Sequence, residues 1–215
     1  KNADPRSPEI IADLKIIQDE LRVRLHTYGF DYAECLTGEN LDHFPSELEH
    51  HNIEYTVKGA VDFLDQVPED KPFFLWTAFT TTHGPHEPID SGDVRNTPVG
   101  FSEEHLGLMP ERSSYIDKND KWRSVVKEMV LWMDGGIGVI LDKLEAQGQL
   151  DNTLIIFLSD QQNAGKASPY ERGANIPFIA RWPGTIEPGT KSETLLDVTD
   201  MAATFIDISG NEPLS

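Results

Sequence analysis

The stretch Asn152-Thr153-Leu154-Ile155-Ile156-Phe157-Leu158-Ser159-Asp160 decides the predicted fold, because it changes abruptly from apolar to polar. Its apolar run, residues 154–158, has the length and composition of a buried strand. A polar loop over residues 160–173 follows, and a second strand is predicted over residues 176–182. Polar side chains therefore come directly after a strand, which is where α/β sheets bind ligands.

Helical periodicity flanks these strands. Apolar residues recur at helical spacing over residues 122–147, which predicts a long helix that ends at Gly148. The same pattern predicts helices over residues 8–24, 55–64 and 198–208. Strands that alternate with long helices favour an α/β fold, with a mostly parallel sheet sandwiched by helices.

A further change from apolar to polar residues occurs upstream of the long helix. Residues 73–79 are rich in aromatic side chains and predict a buried strand, which leads into a loop over residues 80–88. This loop contains His83 and His86. A histidine at such a position can donate to an anion or protonate a leaving oxygen near neutral pH, although a merely solvated side chain is the alternative.

The loop after Ser159 offers a second set of chemical groups. Asp160 and Gln161 carry oxygen atoms, which are the ligands that calcium prefers, and Lys166 would supply a point charge for an anion. An N-cap and a surface lysine would explain the same residues equally well. Between the two loops, the apolar residues of segment 89–121 show no sustained periodicity. This segment is predicted to form a long surface loop near a pocket.

The length, charge and cysteine content of the chain exclude several classes of protein. The 215 residues are enough for one sizeable core, and no apolar stretch approaches the ~20 residues of a membrane span. The formal net charge of -19 argues against nucleic-acid or anionic-membrane partners, which need a basic surface. Cys35 is the single cysteine, which excludes an intrachain disulfide and a cysteine-based zinc site, and its neighbours predict an unreactive thiol.

Several of these segments, in this order and spacing, resemble the sulfatase family of the alkaline-phosphatase superfamily. The resemblance is strongest over residues 71–210 and implies that residues 1–215 form a single partial catalytic domain with an alkaline-phosphatase-like fold. The segments that carry it are residues 73–88 (with Thr82 where proline is usual), 122–144, 152–160, Gly165-Lys166-Ala167-Ser168-Pro169-Tyr170-Glu171, 176–184 and 200–210.

The resemblance implies a role for each matched residue. In sulfatases a hydrated formylglycine attacks sulfur while calcium holds the nucleophile and a sulfate oxygen. By resemblance, the calcium ligands are Asp160 and Gln161, the catalytic residues that bind sulfate and stabilise the leaving alkoxide are His83 and Lys166, and the substrate-binding residues are His86 and Arg172. The expected partner is a sulfated small molecule or glycan, and the expected location is extracytoplasmic (periplasmic or secreted) or lysosomal.

Departures from the family pattern bear on both the nucleophile and the metal. Cys35 does not fit the Cys-or-Ser-x-Pro-x-Arg motif that yields formylglycine, and the paired aspartates of the calcium site are absent. Gln161 stands where asparagine or histidine is usual. The nucleophile is therefore expected outside this chain, and calcium binding by the chain alone is expected to be weak or absent. A phosphoester or phosphonate hydrolase of the same superfamily, and a non-catalytic protein that binds sulfated glycans, are the alternatives.

Overall fold

The computed structural model describes residues 4–44, 46–68, 70–104, 106–117, 124–162 and 165–211. The α-helices are α1 (Pro8–Thr27), α2 (Ile53–Gln66), α3 (Val125–Ala146), α4 (Glu171–Ala174) and α5 (Val198–Ile208). The strands are β1 (Asn96–Thr97), β2 (Gly100–Phe101), β3 (Ile155–Leu158) and β4 (Phe178–Arg181). Single turns of 3₁₀ helix span Leu41–His43, Ser46–Leu48, Arg112–Tyr115 and Leu150–Asn152. None of the helices in these ranges is long and apolar enough to span a membrane.

The four predicted long helices are all present. Ser124 caps α3, and its hydroxyl accepts a hydrogen bond from the Lys127 N–H at 3.4 Å. The helix therefore begins at Val125 rather than at residue 122, which lies outside the described residues. At its other end Gly148 adopts a φ of 69°, a conformation that glycine tolerates without strain, and so it terminates the helix as predicted.

The strands pair differently from the prediction. β1 pairs with β2 and β3 pairs with β4, and both pairs are antiparallel, with Ile155 opposite Arg181 and Leu158 opposite Phe178. The mostly parallel sheet sandwiched by helices is therefore not confirmed within the described ranges. A parallel pair needs a crossover, usually a helix that returns the chain along the sheet. Between β3 and β4 the only helix described is the four-residue α4, so the chain reverses direction instead.

The predicted buried strand at residues 73–79 is not formed, since no strand is assigned there. Phe73, Leu75 and Phe79 pack against the core, whereas Phe74 contacts the rings of Phe30 and Phe205, with centroids 6.2 and 5.2 Å away. Phe74 is 51% exposed and Trp76 is 72% exposed. No strand of the described ranges pairs with this segment. The prediction of a buried strand at residues 73–79 was therefore wrong both in the assignment of a strand and in the burial of Phe74 and Trp76.

The main core lies between α2 and α3. Ile53, Val57 and Leu64 of α2 and Met129 and Trp132 of α3 are at most 1% exposed. The two helices approach closely at Gly136, where a Cβ atom would lie 2.8 Å from Ile53 Cγ2. Burial of these side chains stabilises the helix pair, at roughly 1.5–3 kcal/mol for each large side chain.

A buried ion pair fixes the segment that was predicted to be a long surface loop. Arg112 donates to both carboxylate oxygens of Glu54, at 3.0 and 2.9 Å, and the Trp132 Nε1–H donates to the same carboxylate at 3.2 Å. Arg112 also donates to the Ile89 carbonyl at 3.2 Å. Parts of residues 89–117 are therefore packed against the core, contrary to the prediction, because Arg112 ties them to α2.

Candidate active site

The histidine loop, residues 80–88, presents its two imidazoles to solvent. The His83 N–H donates to the Thr80 carbonyl at 3.1 Å, which closes a turn. His83 Nδ1 lies 3.0 Å from the Gly84 carbonyl. Since a carbonyl only accepts, Nδ1 carries a proton and Nε2 is left to exchange a proton with a bound group. In His86 the other ring nitrogen, Nε2, faces a carbonyl group, at 3.1 Å from the Thr82 oxygen.

A third histidine, His51, lies buried beneath this loop. Its Nδ1 is 2.8 Å from Thr80 Oγ1 and its Nε2 is 3.1 Å from the Pro85 carbonyl. Burial lowers the pKa of His51 to about 4, because the charged ring is poorly solvated there. His51 is therefore neutral at pH 7. His51 was not predicted from the sequence, although His50-His51-Asn52 directly precedes α2 and Asn52 caps that helix.

A shallow concavity opens beside the histidine loop. Its polar side chains include Glu49, His50, Glu87 and Ser91, and the Arg112–Trp132 pair forms its base. His50 Nδ1 lies 2.7 Å from Glu87 Oε2, which joins the segment before α2 to the far end of the loop. Carboxylate, imidazole and hydroxyl groups of this kind can hydrogen-bond the hydroxyl groups of a ligand.

Asp160 and Gln161 form a local pair just after β3. One oxygen of Asp160 accepts the Gln161 N–H at 2.8 Å, and the other lies 3.3 Å from Gln161 Nε2. Asp160 is exposed and Gln161 is half-buried. Both carboxylate oxygens of Asp160 are thus occupied by its neighbour.

Lys166 and Arg172 lie on the two limbs of one closed loop. The Gln162 N–H donates to the Gly173 carbonyl at 3.2 Å. The limbs approach so closely that a Cβ atom on Gly165 would collide with the backbone carbonyl group of Arg172. Both cationic side chains are exposed. The loop therefore carries two exposed cationic side chains, and each of them is a group that can bind an anion.

The calcium site that the family pattern implies is not formed by the residues present. Calcium takes about 6 to 8 oxygen ligands. Asp160 and Gln161 supply two side chains, and Gln161 directs its amide nitrogen at the carboxylate. Among the described residues no group of three or more His, Cys, Asp or Glu side chains is placed to hold a metal ion. These two residues alone do not fit calcium.

The predicted site residues fall into two groups. His83 and His86 share the histidine loop, and Asp160, Gln161, Lys166 and Arg172 share the loop between β3 and β4. The contacts described above are local to each loop. The order of the segments predicts that His83, Asp160, Gln161 and Lys166 converge on one cleft beyond the strand ends, and this stays a prediction.

Comparisons with known proteins identify a family. A family model described as Sulfatase matches residues 24–211. An arylsulfatase of Hemicentrotus pulcherrimus is 30% identical over 202 residues, which are 86% of this chain and 32% of that protein. N-acetylgalactosamine-6-sulfatase of Homo sapiens is 28% identical over 199 residues, 84% of this chain and 33% of that protein. An ulvan-active sulfatase of Formosa agariphila is 42% identical over 146 residues, 66% of this chain and 27% of that protein.

A solved structure agrees with these matches. The crystal structure of Ps i-CgsB in complex with k-i-k-neocarrahexaose superimposes with a TM-score of 0.59 and 25% identity. The similarity covers 75% of this chain and 35% of that protein. The chain thus spans about a third of the length of the relatives it matches, for example 32% of the arylsulfatase.

Proposed function

Because the chain belongs to the sulfatase family, we propose that it supplies part of the catalytic domain of a sulfuric ester hydrolase. The observation that carries the proposal is the family match over residues 24–211, which includes both polar loops. The relatives named above are sulfatases. In this proposal the chain forms the distal part of the domain, and the nucleophile, a formylglycine, is supplied by sequence outside it.

His83 acts on the leaving group in this proposal. As the bond between sulfur and the ester oxygen breaks, negative charge develops on that oxygen, and the protonated Nε2 of His83 donates its proton there. The hydrogen bond between Nδ1 and the Gly84 carbonyl, at 3.0 Å, fixes the ring orientation for this transfer. The histidine stays exposed, so a substrate can reach it.

Lys166 holds the sulfate group. Its fixed charge, with that of Arg172 on the opposite limb of the loop, attracts an anion that the overall charge of -19 would repel. The proposal assigns Arg172 and His86 to the rest of the substrate. Calcium would need oxygen ligands from outside this chain, and the roles of His83 and Lys166 do not depend on it.

The substrate class we propose is a sulfated glycan. One relative is an ulvan-active sulfatase, and the superimposed crystal structure holds k-i-k-neocarrahexaose.

The test uses a polypeptide that carries this chain together with the family's nucleophile motif. We expect it to hydrolyse an aryl sulfate faster than the matching aryl phosphate. His83→Gln should lower kcat/KM by about 10²–10⁴ because the proton donor is lost. His43→Gln is the control, since His43 is exposed and pairs with Glu39. Preferential hydrolysis of the phosphate, or an unchanged rate for His83→Gln, would contradict the proposal.

A further inference from the structure

Three consecutive residues before α2, His50-His51-Asn52, are bonded to the segment that contains the histidine loop. His50 lies 2.7 Å from Glu87 Oε2. The Asn52 side chain donates to the Asn96 carbonyl at 2.7 Å. Between them His51, which is 8% exposed, bonds to Thr80 and Pro85. The segment before α2 therefore holds residues 80–96 along their length.

The hydrogen bonds of His51 define which of its nitrogens carries the proton. The Pro85 carbonyl can only accept, so Nε2 is the protonated nitrogen and donates to it. In the neutral ring Nδ1 then accepts, and the Thr80 hydroxyl donates to it at 2.8 Å. Each ring nitrogen of His51 therefore takes part in a hydrogen bond.

These two contacts lie on either side of His83. Thr80 begins the turn that the His83 N–H closes, and Pro85 follows it. The backbone of His83 favours a proton on the His51 ring, as an accepting carbonyl does, whereas the charges of His83 and His86 oppose its protonation. The ring of His51 thus bonds to the loop before and after His83, while the His83 side chain is exposed.

We infer that His51 is a positioning residue, which holds the histidine loop in the conformation that presents His83 to the ester oxygen of the sulfate ester. The inference rests on the proposed function, in which His83 donates a proton to that oxygen. His51 is buried and bonded through both nitrogens, so it acts through the loop and has no contact with substrate. Its neutral Nε2–H form is required, because the other tautomer would leave the Pro85 carbonyl without its donor.

The experiment uses the 215-residue chain and nuclear magnetic resonance. The ring nitrogens of His51 are observed first in the unaltered chain, where Nε2 must carry the proton. Amide signals of residues 80–86 are then followed in His51→Phe, which keeps the ring shape and loses both hydrogen bonds. His51→Gln keeps an amide that can donate to Pro85. His43→Phe is the matched control, and the α3 amides report whether each variant is folded.

We expect His51→Phe to shift the amides of residues 80–86 while those of α3 remain, and His51→Gln to restore part of the shift. Titration with inorganic sulfate, followed at the His83 ring, should show about three- to tenfold weaker binding in His51→Phe, which corresponds to the loss of a neutral hydrogen bond. A proton on Nδ1 of His51, or loop amides no more perturbed than in His43→Phe, would overturn the inference. If sulfate leaves the His83 ring unaffected in the unaltered chain, the proposed function fails, and the tautomer and loop amides still decide the role of His51.

Discussion

At pH 5 the imidazole of His51 is neutral in the folded chain and protonated in the unfolded one. Burial lowers its pKa to about 4, whereas an unfolded histidine has a pKa of ~6.5. Between these values the unfolded chain binds a proton that the folded chain does not. The stabilising contribution is therefore fully present above pH 6.5 and is lost as the pH falls through 4, by at most about 3 kcal/mol.

This linkage predicts a measurable change on acidification. Between pH 7 and pH 5 the free energy of unfolding should fall by about 2 kcal/mol through His51 alone. Urea unfolding at the two pH values measures the fall in the unaltered chain and in His51→Phe, which lacks the titrating ring. A smaller fall in His51→Phe than in His43→Phe is expected. Equal falls in the two variants would show that His51 is not buried as a neutral ring.

The two oxygen-bearing residues after β3 allow a prediction about calcium. The chain alone should take up calcium weakly or not at all, because two side chains cannot fill ~6 to 8 coordination positions. Within a polypeptide that supplies the remaining ligands, Asp160→Asn should weaken calcium binding more than Gln161→Ala, since a carboxylate contributes more than a neutral amide. Calorimetric titration measures both losses, and a larger one for Gln161→Ala would place the site elsewhere.

Some functional residues could be predicted from the sequence, and others could not because their partners lie far away in the chain. His83 and His86 were recognisable because they follow an apolar run within a few residues. His51 was missed because its partners Thr80 and Pro85 lie 29 and 34 residues away. Arg112 and Glu54 form a pair across 58 residues and were missed for the same reason. Contacts of this separation leave no local pattern in the chain.

At the scale of elements, the packing of α2 against α3 depends on a single glycine. Gly136→Ala would place a Cβ 2.8 Å from Ile53 Cγ2 and 2.9 Å from Val57 Cγ2, so the helices must separate. Gly138 lies on the opposite side of α3, and a methyl group added there would have no neighbouring atom within 4 Å.

The matched pair of substitutions gives opposite predictions. Gly136→Ala should destabilise the chain by about 1–3 kcal/mol through overpacking. Gly138→Ala should stabilise it by up to ~1 kcal/mol, because alanine is the better helix former and the site is open. Thermal or urea unfolding of both variants compares them directly. If both substitutions changed the free energy of unfolding in the same direction, α2 and α3 would not be packed as described.

Helices were predictable and strand pairing was not, for one physical reason. The helical pattern of α3 repeats within each turn, so a short window of sequence contains it. The partner of β3 is β4, and the direction of their pairing follows from the intervening chain, whose only described helix is the single turn α4. The burial of residues 73–79 likewise depends on whatever covers their outer face, which an apolar run cannot specify.

At the scale of the whole molecule, the family was predictable from the order of several motifs, and the family match over residues 24–211 confirms it. No single motif would have been sufficient. The parallel sheet that was predicted is not seen among the described strands, which form two antiparallel pairs.

The chain by itself should not hydrolyse sulfate esters above background. Loss of a catalytic nucleophile commonly removes several orders of magnitude in rate, even where charge stabilisation persists. Incubation of the purified 215-residue chain with a chromogenic aryl sulfate tests this. Turnover that His83→Gln abolishes would show that a nucleophile resides within the chain.

The segment 73–79, with the side chain of Trp76 exposed, also has a consequence for how copies of the chain associate. A segment whose backbone joins no sheet in the described ranges is a template on which another extended chain can add a strand. The net charge of -19 keeps copies apart at neutral pH, and that repulsion vanishes near the isoelectric point of about 4.6. Light scattering should therefore show dispersed chains at pH 7 and assemblies near pH 4.6, and circular dichroism should show that the assemblies are rich in β structure. Trp76→Lys should delay the onset of assembly.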